Sequence, residues 1–170
     1  SFISTTIYRF DINVKDATTL GIVGAGGIGD SRGMAAAFAL GAQAVQMGSR
    51  FVLSEECIAH ENYKNLVLKA RDRSTVITGR TTGHPARVLQ NKLTRIYLEK
   101  EAAGASAEEL EKLGLGTLRM AAREGDVEMG SVMIGQISGM MNDIKPVRVI
   151  LEDLVKGVAA VGENARKNFQ

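Results

Sequence analysis

Tryptophan is absent from this 170-residue chain, and cysteine and proline are scarce, with one Cys and two Pro. The single Cys57 excludes an intramolecular disulfide and fits a reducing compartment. No apolar stretch approaches the roughly 18 residues of a membrane span, and no signal peptide opens the sequence. We therefore expect a cytoplasmic protein that has no membrane partner.

An excess of charge of either sign is also missing. The chain has 21 Lys and Arg against 19 Asp and Glu, which leaves a net charge of +2. Without a concentrated basic patch, the sequence does not predict a nucleic-acid partner. Its two His and one Cys lack metal-ligand spacing, so no metal site is predicted either.

Glycine is plentiful, and two glycine-rich turns each follow a short apolar run. The first reads G-I-V-G-A-G-G-I-G-D (residues 21–30) and the second A-V-Q-M-G-S-R (residues 44–50). Such turns let main-chain N–H groups approach an anion, and a following helix adds its positive dipole end. Gly27 and Gly48 lie about one β-α repeat apart, as in the phosphate loops after the last two strands of a (β/α)8 barrel. We expect both turns to converge on one phosphate.

The first turn also matches another kind of site. Its Gly24-x-Gly26-x-x-Gly29 spacing is the dinucleotide fingerprint of a Rossmann fold. That fold also needs an acidic residue about 20 residues further on, to bind the ribose. Here the position holds the second glycine turn, and no carboxylate follows until Glu55. A mononucleotide phosphate cup is therefore favoured over a Rossmann module, and plain tight turns are the remaining alternative.

The first half of the chain has the rhythm of a parallel α/β fold, because short apolar runs alternate with capped helices. The opening 16 residues are a weak strand candidate. The predicted strands are Leu20–Ala25 and Ala44–Met47. The first predicted helix is Arg32–Leu40, capped by Asp30 or Ser31 and ended by Gly41. The second is Glu55–Lys69, capped by Ser54, with Ile58, Leu66 and Val67 facing a core.

The second half is predicted to be mainly helical. The predicted elements are an extended segment at Thr75–Thr78, a helix from Pro85 to about Glu101, a helix toward Arg123 opened by a capping box of Ser106 and Glu109, a loop with a short helix over 125–142, and a last helix from Pro146 to about Ala165.

Three further features leave alternatives open. His60 follows Cys57 by three residues on one predicted helix, as a nucleophile and base or as a surface histidine beside a buried thiol. No third orienting residue is evident, so no catalytic residue is predicted. His84 either binds an anion or caps a turn. The glycine-rich segment 130–139 either lines a substrate mouth, with Ser131 and Gln136 as hydrogen-bonding groups, or is a helix whose glycines allow it to pack on the barrel.

Residues 23–51 resemble the late-barrel signature of the flavin-dependent nitronate monooxygenases, and most closely that of their relatives, the flavin-type enoyl-acyl-carrier-protein reductases of bacterial fatty-acid synthesis. The resemblance continues through A-H-E-N-Y-K, K-A-R-D-R-S-T-V-I-T-G-R, T-T-G-H-P-A-R-V-L-Q-N-K-L-T-R and G-D-V-E-M-G-S-V-M-I-G-Q-I-S-G, and covers about Gly21 to Arg166.

This resemblance implies an α/β fold that is the C-terminal part of an FMN-binding (β/α)8 barrel. The implied domains are a partial barrel over 1–73, a smaller helical domain over 74–145, and a C-terminal helix over 146–170. The residues implied to hold the flavin phosphate are Gly26 and Gly27 in the first turn and Gln46, Met47, Gly48 and Ser49 in the second.

The implied activity is that of an oxidoreductase. In the reductase, NADH or NADPH reduces FMN, and the flavin then reduces the enoyl double bond of an acyl thioester, small or linked to acyl carrier protein. The alternative is oxidation of alkyl nitronates with oxygen. The last quoted motif leans toward the reductase, and a homodimer is compatible with either.

Family members are considerably longer, and their catalytic histidine lies in a glycine-rich segment that does not precede Gly21 here. We therefore expect the chain by itself to be inactive. A hypothesis from another class is a non-catalytic fragment, whose two parallel strands would leave unpaired edges and an exposed apolar face.

Overall fold

Residues 23–25 and 27–168 are described in the computed structural model of this chain. They divide into two compact units. The first unit runs to Glu56 and resumes at Ile144, and the second spans Cys57–Asp143. The strand candidate in the first 16 residues and the start of the strand predicted from Leu20 lie outside the described residues. The domain boundaries expected after residues 73 and 145 stay a prediction.

Short strands and helices alternate in the first part of the chain, and helices dominate the rest. In chain order the elements are β1 (Val23–Ala25), α1 (Ser31–Ala39), β2 (Ala44–Gln46), α2 (Ser49–Val52), α3 (Glu61–Leu68), β3 (Thr75–Thr78), β4 (Ala86–Leu89), α4 (Lys92–Ala102), α5 (Ala107–Gly114), α6 (Thr117–Arg119), a π-helical turn (Met120–Glu124), a 3-10 helix (Gln136–Met140) and α7 (Val147–Asn168).

The first unit contains the predicted parallel pair. Strands β1 and β2 pair in parallel, with Ala25 opposite Gln46. Asp30 caps α1, since its carboxylate accepts hydrogen bonds from the main-chain N–H groups of Arg32 and Gly33 at 3.0 and 3.1 Å. Gly41 follows α1 with φ +97°, as expected for a glycine just past a helix end. The parallel α/β reading of this region is confirmed.

A small hydrophobic core holds this unit together. Ile28 and Met47, which follow β1 and β2, are buried with Ile150 and Leu154 of α7. Helix α7 also packs on α1, where Gly157 lies so close to Ser31 that a Cβ on the glycine would be 2.2 Å from the serine Oγ. The long helix that begins after Pro146 was predicted, and it supplies the apolar face that covers the ends of the strands.

In the second unit, β3 and β4 form an antiparallel hairpin with Thr75 opposite Leu89. The predicted extended segment at Thr75–Thr78 is confirmed, but the helix predicted to start at Pro85 is wrong. Residues 86–89 are a strand, because β4 is hydrogen-bonded on both sides: the Leu89 N–H donates to Val132 O at 2.9 Å on the edge away from β3. The helix starts instead at Lys92, capped by Asn91.

The helix predicted over Glu55–Lys69 is also shorter than expected. It begins at Glu61, with His60 as its N-cap, and ends at Leu68. Ser54 does not cap this helix: its Oγ donates to Phe51 O at 2.8 Å, it forms a β-bridge with Lys145, and the Glu55 N–H donates to Lys145 O at 3.1 Å. The main chain at residues 54 and 55 is therefore already paired with Lys145 in the first unit. Ile58, predicted to face a core, is 66% exposed, whereas Val67 is fully buried.

The capping box of Ser106 and Glu109 is confirmed at the start of α5. The helix predicted to continue toward Arg123 is interrupted, since α5 ends at Gly114 and the chain passes through α6 and the π-helical turn. The short helix predicted within 125–142 is the 3-10 helix. Within the part of the chain that the structure describes, no helix has both the length and the apolar character needed to cross a membrane.

Candidate functional site

The two glycine-rich turns start at the same edge of the parallel pair. Because Ala25 lies opposite Gln46, the carboxyl ends of β1 and β2 are level with each other. Gly27 follows the first strand closely, and residues 47–49 follow the second directly. Gly26 lies outside the described residues. The described part of the predicted site is thus brought together by strand register.

The main chain of both turns is unobstructed. Gly27 has φ +68°, and a Cβ added to it or to Gly48 would meet no atom within 4 Å. Both glycines are exposed. Positive φ at Gly27 lets the main chain turn in a way that other residues rarely adopt. These turns therefore have the open, side-chain-free surface that close approach of a ligand requires.

The other predicted residues differ in what they can offer. The Met47 side chain is 7% exposed and packs in the hydrophobic core, so only its main chain can face a ligand. Gln46 is half-buried at the end of β2, and Ser49 is the first residue of α2. A phosphate at this edge would therefore depend on main-chain N–H groups, supplemented by the side chains of Gln46 and Ser49.

The acid in the first turn limits the contribution of α1. Burial raises the pKa of Asp30, but the N–H of Gly33 and the side chain and N–H of Arg32 outweigh it and lower the pKa below its ordinary value. The charged carboxylate also pairs with the Arg32 guanidinium at 2.7 Å. Because Asp30 already accepts the N–H groups of Arg32 and Gly33, these two groups of α1 are not available to an anion.

The hypothesis that Cys57 and His60 act as nucleophile and base on one helix is not supported, because the two residues do not lie on the same helix. Cys57 precedes α3, whereas His60 caps it and accepts the Asn62 N–H at Nδ1, at 3.1 Å. The His60 ring is packed on Gly125, where a Cβ would be 2.4 Å from the imidazole. His60 therefore has a structural role. Further along α3, burial, with a smaller effect of Cys57, raises the pKa of Tyr63, whose hydroxyl donates to Met133 O.

The other two open features lie in the second unit. His84 is exposed in the turn that joins β3 and β4. Its carbonyl oxygen lies so close to Gly79 that a Cβ on this glycine would be 2.6 Å from it. In the glycine-rich segment, Ser131 is buried and Gln136 is exposed. Asn91 Nδ2 donates to Gly130 O at 2.8 Å, which fixes this segment to the start of α4. Close packing therefore accounts for Gly130, and packing was one of the two alternatives that the sequence left open.

Within residues 23–25 and 27–168, no three His, Cys, Asp or Glu side chains are grouped as they would be in a metal site. The main-chain N–H groups of the two turns suit an anion rather than a cation.

Comparison with known proteins places the chain in a family. The family model described as nitronate monooxygenase matches residues 6–157. The chain belongs to the nitronate monooxygenase family. A probable nitronate monooxygenase of Staphylococcus saprophyticus is 30% identical over 83% of this chain and 39% of its own length. A second, of Staphylococcus aureus, is 27% identical over 85% of this chain and 41% of its own length. The chain thus spans about two fifths of these relatives.

The chain is also similar to proteins of known structure. FabK from Thermotoga maritima is 48% identical, with a TM-score of 0.83 over 87% of this chain and 47% of its own. Nitroalkane oxidase from Streptomyces ansochromogenes is 29% identical, with a TM-score of 0.67 over 88% of this chain and 41% of its own. The enoyl reductase domain of MlnA from Bacillus amyloliquefaciens shares the fold alone, at 15% identity and a TM-score of 0.70 over 100% of this chain and 56% of its own.

Proposed function

We propose that this chain is the C-terminal part of an FMN-dependent oxidoreductase and that it contributes the flavin-phosphate site. The single observation that carries the proposal is the parallel register of β1 and β2, which sets two unobstructed glycine turns at one sheet edge. Closure of these strands with others into a (β/α)8 barrel is part of the same proposal. Membership of the nitronate monooxygenase family supports it.

The residues present fit a flavin phosphate. Gly27 and Gly48 would offer main-chain N–H groups where no side chain intervenes, and Ser49 would add a hydroxyl donor. Gly26 is proposed as a third main-chain donor from the sequence alone. Met47 would anchor the second turn, because its side chain is buried in the hydrophobic core of the first unit. When bound, FMN supplies the hydride chemistry, whereas the protein supplies orientation and phosphate binding.

The substrate we propose is an enoyl thioester, small or linked to acyl carrier protein, with NADH or NADPH as the reductant. The higher identity to FabK, at 48%, than to nitroalkane oxidase, at 29%, favours this reaction. Nitronate oxidation with oxygen is the second candidate, favoured by the matching family description and by the curated relatives. In both cases we propose a cytoplasmic enzyme that acts without nucleic acid or membrane.

Flavin retention tests the site. The purified chain is mixed with FMN, desalted, and its bound flavin is measured by absorbance. We expect stoichiometric flavin in the wild type and loss of flavin in Gly48→Val, because the branched side chain would fill the space where a phosphate approaches. Gly114→Val is the matched control, since Gly114 also has no atom within 4 Å of a Cβ but lies in the second unit.

Retention of flavin by Gly48→Val, with an unchanged far-UV circular dichroism spectrum, would refute the assignment of the second turn. A wild-type chain that is colourless and aggregated would instead favour the non-catalytic fragment. The two reactions are separated in the longer protein by oxidation of NADH or NADPH that depends on an enoyl thioester, as against oxygen uptake that depends on a nitronate.

A further inference from the structure

A cleft in the second unit, with a volume of about 320 Å³, is lined by three cationic side chains. Lys69, Arg71 and Arg73 alternate along the loop that links α3 to β3. Ser74 and Gln90 add polar groups to the lining, and Leu66, Ala70 and Leu89 are its apolar part. The alternation of cations in this loop is visible in the sequence, where it could have indicated an anion-binding segment.

The three cations are not neutralised by the described part of the protein. None of them forms an ion pair with a described residue, and Asp72, the acid within the same loop, forms none either. Some exposed cations elsewhere are paired with carboxylates, as Lys112 is with Glu108 at 2.8 Å. The cleft therefore presents an uncompensated positive charge that an anionic ligand would offset.

Helix capping accounts for only one of the three cations. Lys69 is the C-cap of α3, where a positive charge complements the helix dipole. Arg71 and Arg73 lie beyond the helix end, in a loop that is hydrogen-bonded within itself: Arg71 N–H donates to Ser74 Oγ at 2.8 Å, and Ser74 N–H donates to Arg71 O at 2.9 Å. The positions of both arginines on this loop need another explanation.

Two neighbouring segments hold the loop in place. Gln90, which follows β4, donates from its N–H to Ser74 O at 2.8 Å and from Nε2 to Arg73 O at 2.9 Å. On another side, Gly139 of the 3-10 helix is packed so closely that a Cβ would be 2.8 Å from Arg71 C. The loop is thus preorganised, which reduces the entropy lost when a ligand binds.

We propose that this cleft binds a phosphate-bearing small molecule. Guanidinium groups match the oxygens of a phosphate in a bidentate manner, and a lysine ammonium and a serine hydroxyl donate to the same group. The volume is at the lower end of the range for small-molecule sites, which suits a phosphate or pyrophosphate with a short organic part against Leu66 and Leu89. The residues that line the cleft are not those of the flavin turns, and the inference does not depend on the proposed function.

The test is a titration of the whole chain, followed by NMR of the main-chain amides of Arg73, Ser74 and Gln90 at low ionic strength. The probes are inorganic phosphate, pyrophosphate, NADH and NADPH, with acetate as the carboxylate comparison. We expect saturable shifts with the phosphate probes. The double variant Arg71→Gln, Arg73→Gln should raise Kd by at least roughly tenfold, since each charged hydrogen bond contributes enough for such a factor.

Arg95→Gln is the matched control, because it removes an exposed cation from α4, outside the cleft lining. We expect its Kd to stay within about twofold of the wild-type value, as only weak long-range electrostatics are lost. NADPH binding much more tightly than NADH would identify a nucleotide phosphate as the source, and equal binding of inorganic phosphate would identify the free ion.

Absence of shifts with every phosphate probe would overturn the proposal, as would acetate binding as tightly as phosphate or an equal loss in Arg95→Gln. Failure of the flavin site is distinguishable, because Gly48→Val should leave phosphate-induced shifts at Ser74 and Gln90 unchanged.

Discussion

The glycines of the two strand-end turns in the first unit differ in their surroundings from Gly130 in the second unit. In the first unit, Gly27 and Gly48 have no atom within 4 Å of where a Cβ would lie. In the second unit, a Cβ on Gly130 would be 2.1 Å from Asp126 O and 2.5 Å from Ala121 N. One group of glycines leaves space that a ligand can enter, and the other allows main-chain segments to pack. A glycine-rich sequence therefore indicates close approach, but the tertiary structure decides what approaches.

The largest expected effect is that of Gly130→Ala. The added Cβ would collide with main-chain atoms of residues 121 and 126, which cannot move without breaking the π-helical turn and the segment after it. We expect a loss of about 3 kcal/mol in the free energy of unfolding. Urea denaturation of the chain measures it.

Gly114→Ala is the control for this change, since it adds the same methyl group to a helical glycine with free space around it. It should be neutral or stabilise by up to about 1 kcal/mol, because alanine favours the helix. If both variants unfolded at the same urea concentration, the packing role assigned to Gly130 would be wrong.

Gly157→Ala should have an intermediate effect within the first unit. Its Cβ would be 2.5 Å from the Ser31 Cβ, so α1 and α7 would have to separate slightly. We expect a loss of about 1 to 2 kcal/mol, since part of the strain is relieved by rotation of the serine side chain. The thermal midpoint followed by circular dichroism reports it.

The same helix provides the control, because Gly162 of α7 has no atom within 4 Å of a Cβ. Gly162→Ala should raise stability by about 0.5 to 1 kcal/mol through helix propensity alone. A stabilising Gly157→Ala would show that the helices are not in close contact at this point.

The smallest effect concerns Asp30, where a side chain rather than a glycine completes the first turn. Asp30→Ala should cost about 1 kcal/mol at neutral pH, because α1 loses its N-cap, whereas Asp30→Asn keeps a capping oxygen and should cost less. The folded-state pKa lies below the ordinary value of 3.8. The contribution of the charge is therefore complete above that pH and is lost as pH falls below it.

Denaturation of the wild type and of Asp30→Asn at neutral pH and at about pH 3 checks this expectation. The wild type should be the more stable protein at neutral pH, and the difference should shrink in acid. A difference that grew in acid would contradict the sign of the pKa change.

Local signals in the sequence predicted the elements whose partners are close along the chain. The Asp30 cap, Gly41 after α1, and the capping box of Ser106 and Glu109 were all read correctly. The errors arose where distant groups compete. Residues 86–89 became a strand because segment 132–134 pairs with them, and the helix before Leu68 starts late because Lys145 pairs with the chain at residues 54 and 55.

The candidate site was predicted from the sequence as two turns, and their amino-acid types carried that prediction. Their convergence on one flavin phosphate stays a prediction. The structure contributes the register that makes the strand ends level and the burial of Met47. Neither can be read from spacing alone, because each depends on contacts between separate elements.

The sequence by itself determined the α/β rhythm, the caps of α1 and α5 and the membership of the nitronate monooxygenase family, since each rests on residue types at short or fixed spacing. Only the tertiary structure decided which glycines leave open space and which are packed, and that His60 is a helix cap. It also decided that Arg71 and Arg73 form no ion pair with a described residue and lie on a loop held by hydrogen bonds from Gln90. The physical reason is that steric contact and charge compensation depend on atoms far apart in the chain, whose approach no local pattern encodes.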